Sequence, residues 1–188
     1  MWRPRGTSGR PILVAAGLAV LLLVISGCAL IGGGTTAAAF VPDEMTVTSP
    51  DFGQGLAGSA FSCHGSGRRP VIYWSGAPRG TKSFALVMDD SAAPIAPYIY
   101  WIVFNIGPQS SDIPAGQLPP GAVQAANSKG TVGYDPPCPA NRGHGYRFTV
   151  YALNRKLPLQ ARSSVKAAWT AIAASAIARG SLTAVINP

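Results

Sequence analysis

Residues 133–153 read Gly-Tyr-Asp-Pro-Pro-Cys-Pro-Ala-Asn-Arg-Gly-His-Gly-Tyr-Arg-Phe-Thr-Val-Tyr-Ala-Leu, and the rest of the chain can be interpreted outward from them. The first half is rich in proline and glycine, which favours a rigid loop. The second half alternates, so a strand would place four apolar side chains on one face: Tyr146, Phe148, Val150 and Ala152. His144 shares the parity of Tyr146. A stiff loop that delivers an imidazole and a phenol to a strand end is typical of a binding pocket.

The same segment resembles the second signature of the phosphatidylethanolamine-binding protein family, in the bacterial branch called Raf-kinase-inhibitor-like. The family pattern is approximately G-Y-x-G-P-C-P-P…H-R-Y-x-F-T-V-Y-A-L. The matching positions are Gly133, Tyr134, Pro137, Cys138, Pro139, His144, Tyr146 and residues 148–153. Gly145 stands where the family has arginine. A match of this length is a specific signal.

The first signature of the family, D-P-D-A-P, is matched only in part. Residues 74–82 follow the family pattern W-x-G-A-P-x-G-T-K, and residues 83–86 follow as Ser-Phe-Ala-Leu. Alignment then places Asp90 on the first aspartate of the signature. Ser91 replaces the proline, and Ala92 replaces the second aspartate. The resemblance therefore keeps one carboxylate of this signature and loses the other.

A further departure lies in the next strand, where Tyr100 stands in place of a family histidine before Trp101. A phenol donates a hydrogen bond, but it does not become a cation near neutral pH as histidine can. By strand alternation, one of these two side chains faces the pocket.

The resemblance implies a β-sandwich with a small anion-accepting pocket at one end. The predicted ligand-binding residues are Asp90, Tyr100, Pro136, Pro137, His144 and Tyr146. Residues 136–137 would form one wall, and Asp90 could orient His144 and favour its charged form through proximity. Because Ala92 and Tyr100 remove two ionisable groups, the expected pocket is less polar, binds small anions weakly and favours an aromatic or apolar ligand.

The wider pattern predicts a mainly β protein. Short segments rich in β-branched and aromatic residues alternate with loops rich in proline and glycine. The other predicted strands are 45–49, 71–74, 83–88, 98–106 and 182–186. A late helix is predicted after a cap at Ser163 or Ser164, with Val165, Trp169, Ile172 and Ala176 on one face, Arg179 in its last turn and Gly180 as its C-cap. The fold expected from this count is an antiparallel β-sandwich with a C-terminal peripheral helix.

The N-terminus has the pattern of an export signal. Arg3, Arg5 and Arg10 precede an apolar run that extends to Ile25, and Ile25-Ser-Gly-Cys28 resembles a bacterial lipobox. In this interpretation Cys28 carries a diacylglyceryl anchor with palmitate-type chains and becomes the first mature residue. The predicted organisation is a signal peptide at 1–27, the lipidated cysteine and a flexible tether at 28–43, and one domain at 44–188.

The alternative is an uncleaved transmembrane helix over residues 11–34, which is long enough to span about 30 Å of hydrocarbon. Three consecutive glycines at 32–34 weaken that helix. Both interpretations place the domain outside the cytoplasm and attach it to the membrane.

The positive net charge of the chain favours a location near a membrane surface rather than binding to nucleic acid. The 188-residue chain has 15 Lys and Arg against 7 Asp and Glu, and the positive excess remains after the three signal-peptide arginines are removed. Such an excess suits a protein near anionic headgroups. The basic residues are scattered and form no basic helix or aromatic-interleaved stripe, so no nucleic-acid partner is expected.

The cysteines allow three interpretations. With Cys28 lipidated, Cys63 and Cys138 form an even pair in an oxidising compartment, which favours a disulfide. The same two cysteines with His64 and His144 could supply four zinc ligands, although adjacent Cys63 and His64 are poorly spaced for tetrahedral zinc. A catalytic cysteine is the third possibility. We predict the disulfide, a solvent-facing His64, and neither a metal nor a cofactor.

Three function classes follow from these observations. The first is a non-catalytic, membrane-anchored lipoprotein with a pocket for a small anion of the phospholipid-headgroup type. The second is a protein-interaction or inhibitor module that uses the pocket rim. The third is a hydrolase, for which the chain lacks a G-x-S-x-G motif and offers only His144 to a catalytic triad. The physiological ligand and the oligomeric state do not follow from the sequence.

Overall fold

The computed structural model describes residues 41–92, 97–140 and 143–188. The predicted signal peptide, Cys28 and most of the tether lie outside the described residues. The elements in chain order are β1 (Thr46–Thr48), β2 (Leu56–Ala57), a short 3-10 turn (Ser59–Phe61), β3 (Ile72–Ser75), β4 (Ser83–Asp90), β5 (Ile99–Ile106), β6 (Asp112–Ile113), β7 (Val123–Gln124), β8 (His144–Leu153), α1 (Val165–Ala173) and β9 (Ala176–Ile186).

Two sheets form the architecture. The larger has the strand order β2-β9-β8-β4-β5-β7, and the smaller has the order β1-β3-β6. The strand pairs are antiparallel except that β2 pairs parallel with β9 at the edge of the larger sheet. The predicted mainly β sandwich with a peripheral helix is confirmed, although the larger sheet is mixed rather than purely antiparallel.

The alternation in β8 positions the core. Its four predicted inward residues, Tyr146, Phe148, Val150 and Ala152, are all buried, in one cluster with Trp74 of the smaller sheet. Burying these apolar side chains between the sheets is the main favourable contribution to folding. The alternation therefore fixes which face of the central strand meets the second sheet.

Helix α1 covers the opposite face of the larger sheet. Its Ala168 and Ile172 are buried in a second cluster with residues of β4 and β5, and the Ser164 side chain caps it by accepting a hydrogen bond from the Ala167 backbone N–H at 3.2 Å. Trp169, which was predicted to lie on the buried face, is 42% exposed.

The predicted C-terminal end of the helix is wrong. Helix α1 ends at Ala173, and Arg179 and Gly180 belong to β9, which pairs with the full length of β8. Pairing with β8 overrides the helix propensity of the alanine-rich segment. Gly180 has a different role from the predicted cap, because a Cβ there would lie 2.0 Å from the Met45 carbonyl oxygen.

The chain becomes part of the sheet two residues before the predicted domain boundary. The Arg179 carbonyl accepts hydrogen bonds from the backbone N–H groups of Glu44 and Met45 at 3.0 Å each, and the Arg179 N–H donates to Pro42 at 2.9 Å. Within the described residues, no helix is both long enough and apolar enough to cross a bilayer.

Candidate ligand-binding site

A carboxylate and an imidazole meet at the ends of two neighbouring strands. Asp90 ends β4 and His144 begins β8, and the antiparallel register brings Asp90 opposite Tyr146. Nε2 of His144 lies 2.8 Å from Oδ1 of Asp90, and the Ala92 backbone N–H donates to the same oxygen at 2.8 Å. The predicted orientation of His144 by Asp90 is thus the observed geometry.

The environment keeps Asp90 ionised. Burial raises its pKa, but the hydrogen bonds from His144 and from the Ala92 N–H, together with the charge of His144, lower the pKa by more. The net pKa of Asp90 therefore lies below its ordinary value. An ionised carboxylate accepts the Nε2–H of His144 and fixes the imidazole in one orientation.

Two phenols complete the group. Tyr100 of β5 and Tyr146 of β8 have ring centroids 5.2 Å apart in an edge-to-face arrangement, and His144 lies 5.1 Å from Tyr146 in the same way. Burial raises the pKa of both phenols, and the negative charge of Asp90 adds to the shift. Both hydroxyls therefore stay protonated near neutral pH, and because Tyr146 donates to Tyr100, the Tyr100 hydroxyl is the one left to donate.

These side chains surround a cavity of about 580 Å³, which we call the Asp90–His144 cavity. Its described lining residues are Asp90, Tyr100, Cys138, Pro139, Ala140, Gly143, His144 and Tyr146. The structure thus brings four of the six predicted site residues together. Trp101, the alternative to Tyr100, is fully buried in the core instead.

The loop wall differs from the predicted one. Residues 138–140 line the Asp90–His144 cavity, whereas Pro136 lines a neighbouring cavity of about 400 Å³ with Tyr98 and Asp135. Pro137 is buried, and its carbonyl accepts a hydrogen bond from the Cys63 N–H at 3.0 Å. The proline-rich composition predicted a rigid loop, but no pattern in it indicated which residues face the cavity.

The predicted disulfide is confirmed. Cys63 and Cys138 are bonded, with their Cα atoms 5.2 Å apart, and this bond uses both thiols that the zinc alternative required. His64 is exposed as predicted, but its Nε2 also lies 3.1 Å from the Pro139 carbonyl oxygen. The bond and this contact together attach the cavity wall to the loop that follows the 3-10 turn.

A second ion pair, missed by the motif analysis, lies one position back along the same strands. The buried Asp89 accepts two hydrogen bonds from the Arg147 guanidinium, one of them at 3.0 Å from Nε. Their side chains alternate with those of Asp90 and Tyr146, and such bidentate pairs fix geometry as well as contribute energy. Arg147 therefore braces the strand ends that carry the cavity.

Comparison with known proteins agrees with this geometry. The family model for phosphatidylethanolamine-binding protein matches residues 47–187. The chain belongs to the phosphatidylethanolamine-binding protein family. The match runs from Val47 in β1 past the end of β9, so both cavity-bearing strands, β4 and β8, lie inside it.

One relative of this chain is a mycobacterial protein described as a lipoprotein. "Putative lipoprotein LppC" of Mycobacterium tuberculosis is 38% identical over 190 residues, which cover 90% of this chain and 92% of LppC. A UPF0098 protein of Methanothermobacter thermautotrophicus is 40% identical over 116 residues, covering 59% of this chain and 77% of that protein. The similarity to LppC thus extends well beyond the sandwich.

Two solved structures have the same fold. Escherichia coli YbcL, described as a new member of the mammalian PEBP family, superposes with a TM-score of 0.70 at 31% identity, covering 77% of this chain and 99% of YbcL. CT736 of Chlamydia trachomatis gives a TM-score of 0.69 at 31% identity, covering 78% of this chain and 99% of CT736.

Proposed function

We propose that this protein is an exported, lipid-anchored member of the family that binds a small anionic ligand in the Asp90–His144 cavity without transforming it. The similarity to LppC along 90% of the chain supports the lipoprotein part, as does the lipobox-like sequence ending at Cys28. The family membership supports the pocket, because the matched signatures are the segments that line it.

One observation carries the binding proposal: an imidazole held by a carboxylate and two protonated phenols line the same cavity. The Asp90 carboxylate fixes His144 at 2.8 Å, and the phenols of Tyr100 and Tyr146 stay protonated beside it. A phosphate or carboxylate oxygen could accept from the phenol pair and, once the ring is protonated, from Nδ1 of His144, because Asp90 already accepts the Nε2–H. Because Asp90 is ionised, it repels an anion and offsets a charged His144, so we expect weak binding that depends on His144 protonation.

The arrangement favours binding over hydrolysis. The Ser91 hydroxyl lies close to the strand ends, but it donates to the Gly145 carbonyl at 2.7 Å rather than to His144. Cys138 is the cysteine in the cavity lining, and it is bonded to Cys63. A nucleophile activated by His144 is therefore missing from the described lining residues, and His144 already uses Nε2 to contact Asp90.

Calorimetry of the purified full chain in detergent tests the binding proposal. Phosphoethanolamine, phosphate and acetate would be titrated from about pH 5 to 8, the range in which histidine side chains ordinarily change charge. We expect millimolar affinity that rises as the pH falls, and acetate is the clearest arm because it is ionised over most of this range, whereas the phosphates change charge in the middle of it. His144→Ala should remove the rise, whereas His64→Ala, which removes the other imidazole, should keep it.

A folded protein that binds none of the three ligands at millimolar concentration would contradict the pocket proposal and favour the interaction module. An affinity of the wild-type chain that does not change with pH would contradict the proposed dependence of binding on His144 protonation.

The anchor is tested separately by mass spectrometry of the membrane fraction. We expect the N-terminal peptide to begin at a lipid-modified Cys28, and Cys28→Ser to give an unprocessed or released protein. An unmodified peptide that spans Gly27 and Cys28 in the membrane-bound wild-type protein would refute lipidation while leaving the pocket proposal intact.

A further inference from the structure

A second cavity, of about 560 Å³, is lined mostly by residues outside the two family signatures. Among its described lining residues, only Gly133 and Tyr134 belong to one of them. We call it the Arg69 cavity. Its described lining residues are Gly67, Arg69, Gly116, Gln117, Leu118, Gln124, Gly133 and Tyr134. The described linings of the Arg69 cavity and the Asp90–His144 cavity have no residue in common. The Arg69 cavity is therefore a separate recess of the domain.

Its charged group is a half-buried guanidinium. Cζ of Arg69 lies 5.6 Å from the ring centroid of Trp101, which is fully buried and therefore a fixed platform. Burial lowers the pKa of Arg69 without bringing it near neutral pH, so the group stays cationic. Stacking on Trp101 places the planar fork of donors at the cavity lining.

Arg69 differs from its neighbour Arg68 in its ion pairing. Arg68 lies 3.1 Å from the Asp51 carboxylate. For Arg69, the described residues provide no carboxylate within ion-pair distance, and the described lining of the cavity contains no acidic residue. A cation that has lost part of its hydration gains most from an anionic partner brought by a ligand.

Gln124 supplies a second, oriented donor. Its Oε1 accepts the indole N–H of Trp101 at 2.7 Å, and this bond fixes which end of the amide is the oxygen. The amide N–H groups have no acceptor among the described residues. Tyr134, in contrast, already donates its hydroxyl to the Phe61 carbonyl at 2.6 Å. The side-chain donors left over at this cavity are thus those of Arg69, Gln124 and Gln117, and of these Arg69 and Gln124 are held by Trp101.

The backbone keeps the recess open. Gly67, Gly116 and Gly133 all have positive φ, at 63°, 79° and 108°, a conformation that favours glycine. At Gly133 an added Cβ would lie 3.6 Å from Gln124 Oε1, in contact with the amide. Leu118 and Tyr134 supply apolar surface on the same lining. The space, the donors and the apolar wall suit a small organic anion.

We propose that the Arg69 cavity is a second binding site, which takes a small organic anion whose carboxylate or phosphate pairs with Arg69 and accepts from Gln124. The guanidinium fork matches two oxygens of either group, and the aromatic or apolar body of the ligand packs against Leu118 and Tyr134. This site does not depend on Asp90 or His144, so it stands apart from the function proposed above.

The test is a nuclear magnetic resonance titration of the full chain in detergent, observed at the Trp101 indole N–H, whose acceptor is Gln124. The probes are benzoate, phenyl phosphate and benzamide, which share a ring and differ in the polar group. We expect a saturable shift with at least one anion and none with neutral benzamide. Saturation by both anions would show that the site accepts carboxylates and phosphates alike. Saturation by one of them would restrict the ligand to that group.

Three variants locate the effect. Arg69→Gln should weaken the anion at least about tenfold, the loss expected for a charge-assisted hydrogen bond. Gln124→Glu should weaken it similarly, because the new carboxylate still accepts from Trp101 but occupies Arg69. Arg68→Gln, which removes a neighbouring charge already paired with Asp51, should leave affinity within about twofold.

Several results would overturn the proposal. They are no saturable shift with either anion in a folded protein, equal binding of benzamide, or equal losses in Arg69→Gln and Arg68→Gln. His144→Ala should leave the Trp101 titration unchanged, and a loss there would assign the signal to the Asp90–His144 cavity instead.

Discussion

The Asp90–His144 cavity and the Arg69 cavity are of similar volume but opposite electrostatic design. The first, of about 580 Å³, holds an ionised carboxylate against a titratable imidazole. The second, of about 560 Å³, holds a permanent cation with no carboxylate among its described lining residues. The first lies on both motifs that the chain shares with the family, whereas the second includes only Gly133 and Tyr134 from them among its described lining residues. The carboxylate–imidazole pair of the signatures and the guanidinium of Arg69 thus lie in different cavities.

The difference predicts two kinds of pH dependence. Binding that depends on the charge of an imidazole weakens as the pH rises, because only the protonated ring is a cation. A site that relies on Arg69 keeps its charge from about pH 5 to 8. The same anion should therefore bind the two cavities with different pH profiles, and the following experiments change one cavity at a time.

The largest expected effect comes from the disulfide, because Cys138 lines the Asp90–His144 cavity. The bond joins residues 75 apart in sequence, and closing such a loop stabilises by about 4 kcal/mol in the chain-entropy model. The double variant Cys63→Ser/Cys138→Ser should lose about that free energy of unfolding in urea. It should also weaken phosphoethanolamine binding, since the wall at residues 138–140 loses its attachment.

Each single cysteine variant serves as a control, because breaking either end removes the same constraint and should cost as much as the double variant. A double variant within about 1 kcal/mol of the wild-type protein would contradict the expected stabilisation.

The next effect concerns Asp90, whose pKa is lower in the folded chain than its ordinary value of 3.8. Stability from such a group is fully present above the unfolded pKa and is lost as the pH falls through the folded pKa. Asp90→Asn keeps the shape but removes the charge, so it should lower the unfolding free energy by about 1 kcal/mol near neutral pH. The difference should shrink as the pH falls below 3.8.

Urea unfolding of both proteins at several acidic pH values measures this difference. Glu44→Gln, which neutralises an exposed carboxylate far from the pair in sequence, is the matched control. A destabilisation by Asp90→Asn that is equally large at low pH would mean that the charge of Asp90 is not its source.

The smallest effect is expected at Arg69 in the absence of ligand. Its stacking on Trp101 is worth about 0.5–1 kcal/mol at most exposed sites, and leaving the half-buried cation without an anion offsets part of that. Arg69→Gln should therefore change the free energy of unfolding by less than about 1 kcal/mol, as measured by urea unfolding beside Arg68→Gln. A loss several times larger would indicate that Arg69 supports the fold rather than a ligand.

Part of this structure follows from local pattern. The alternation of residues 146–152 predicted the buried face of β8, since side chains in a strand point to opposite sides in turn. The resemblance to the two family signatures, rather than local pattern, predicted that Asp90 and His144 belong to one pocket. The residues of the cavity's loop wall, 138–140, could not be predicted from local pattern either. A proline-rich loop has no regular alternation from which the inward-facing side chains could be read.

Two other features depend on contacts between distant segments. The alanine-rich run that begins in α1 has high helix propensity, yet from Ala176 onward the chain pairs with β8, and Gly180 accommodates Met45 rather than a helix end. The Arg69 cavity has the same cause. Its lining comes from four separated segments, so no short motif could have indicated that Arg69 and Gln124 lie at one recess.

The crossing at Gly180 has a mechanical consequence under the proposal that Cys28 anchors the protein to the membrane. Any pull from the membrane enters the domain at Pro42, where three backbone hydrogen bonds between Arg179 and Pro42, Glu44 and Met45 share the load. That load passes into β9, which is braced along its length by β8. Under that proposal, the first load falls on the backbone hydrogen bonds between residues 42–45 and Arg179 rather than on a cavity-lining side chain.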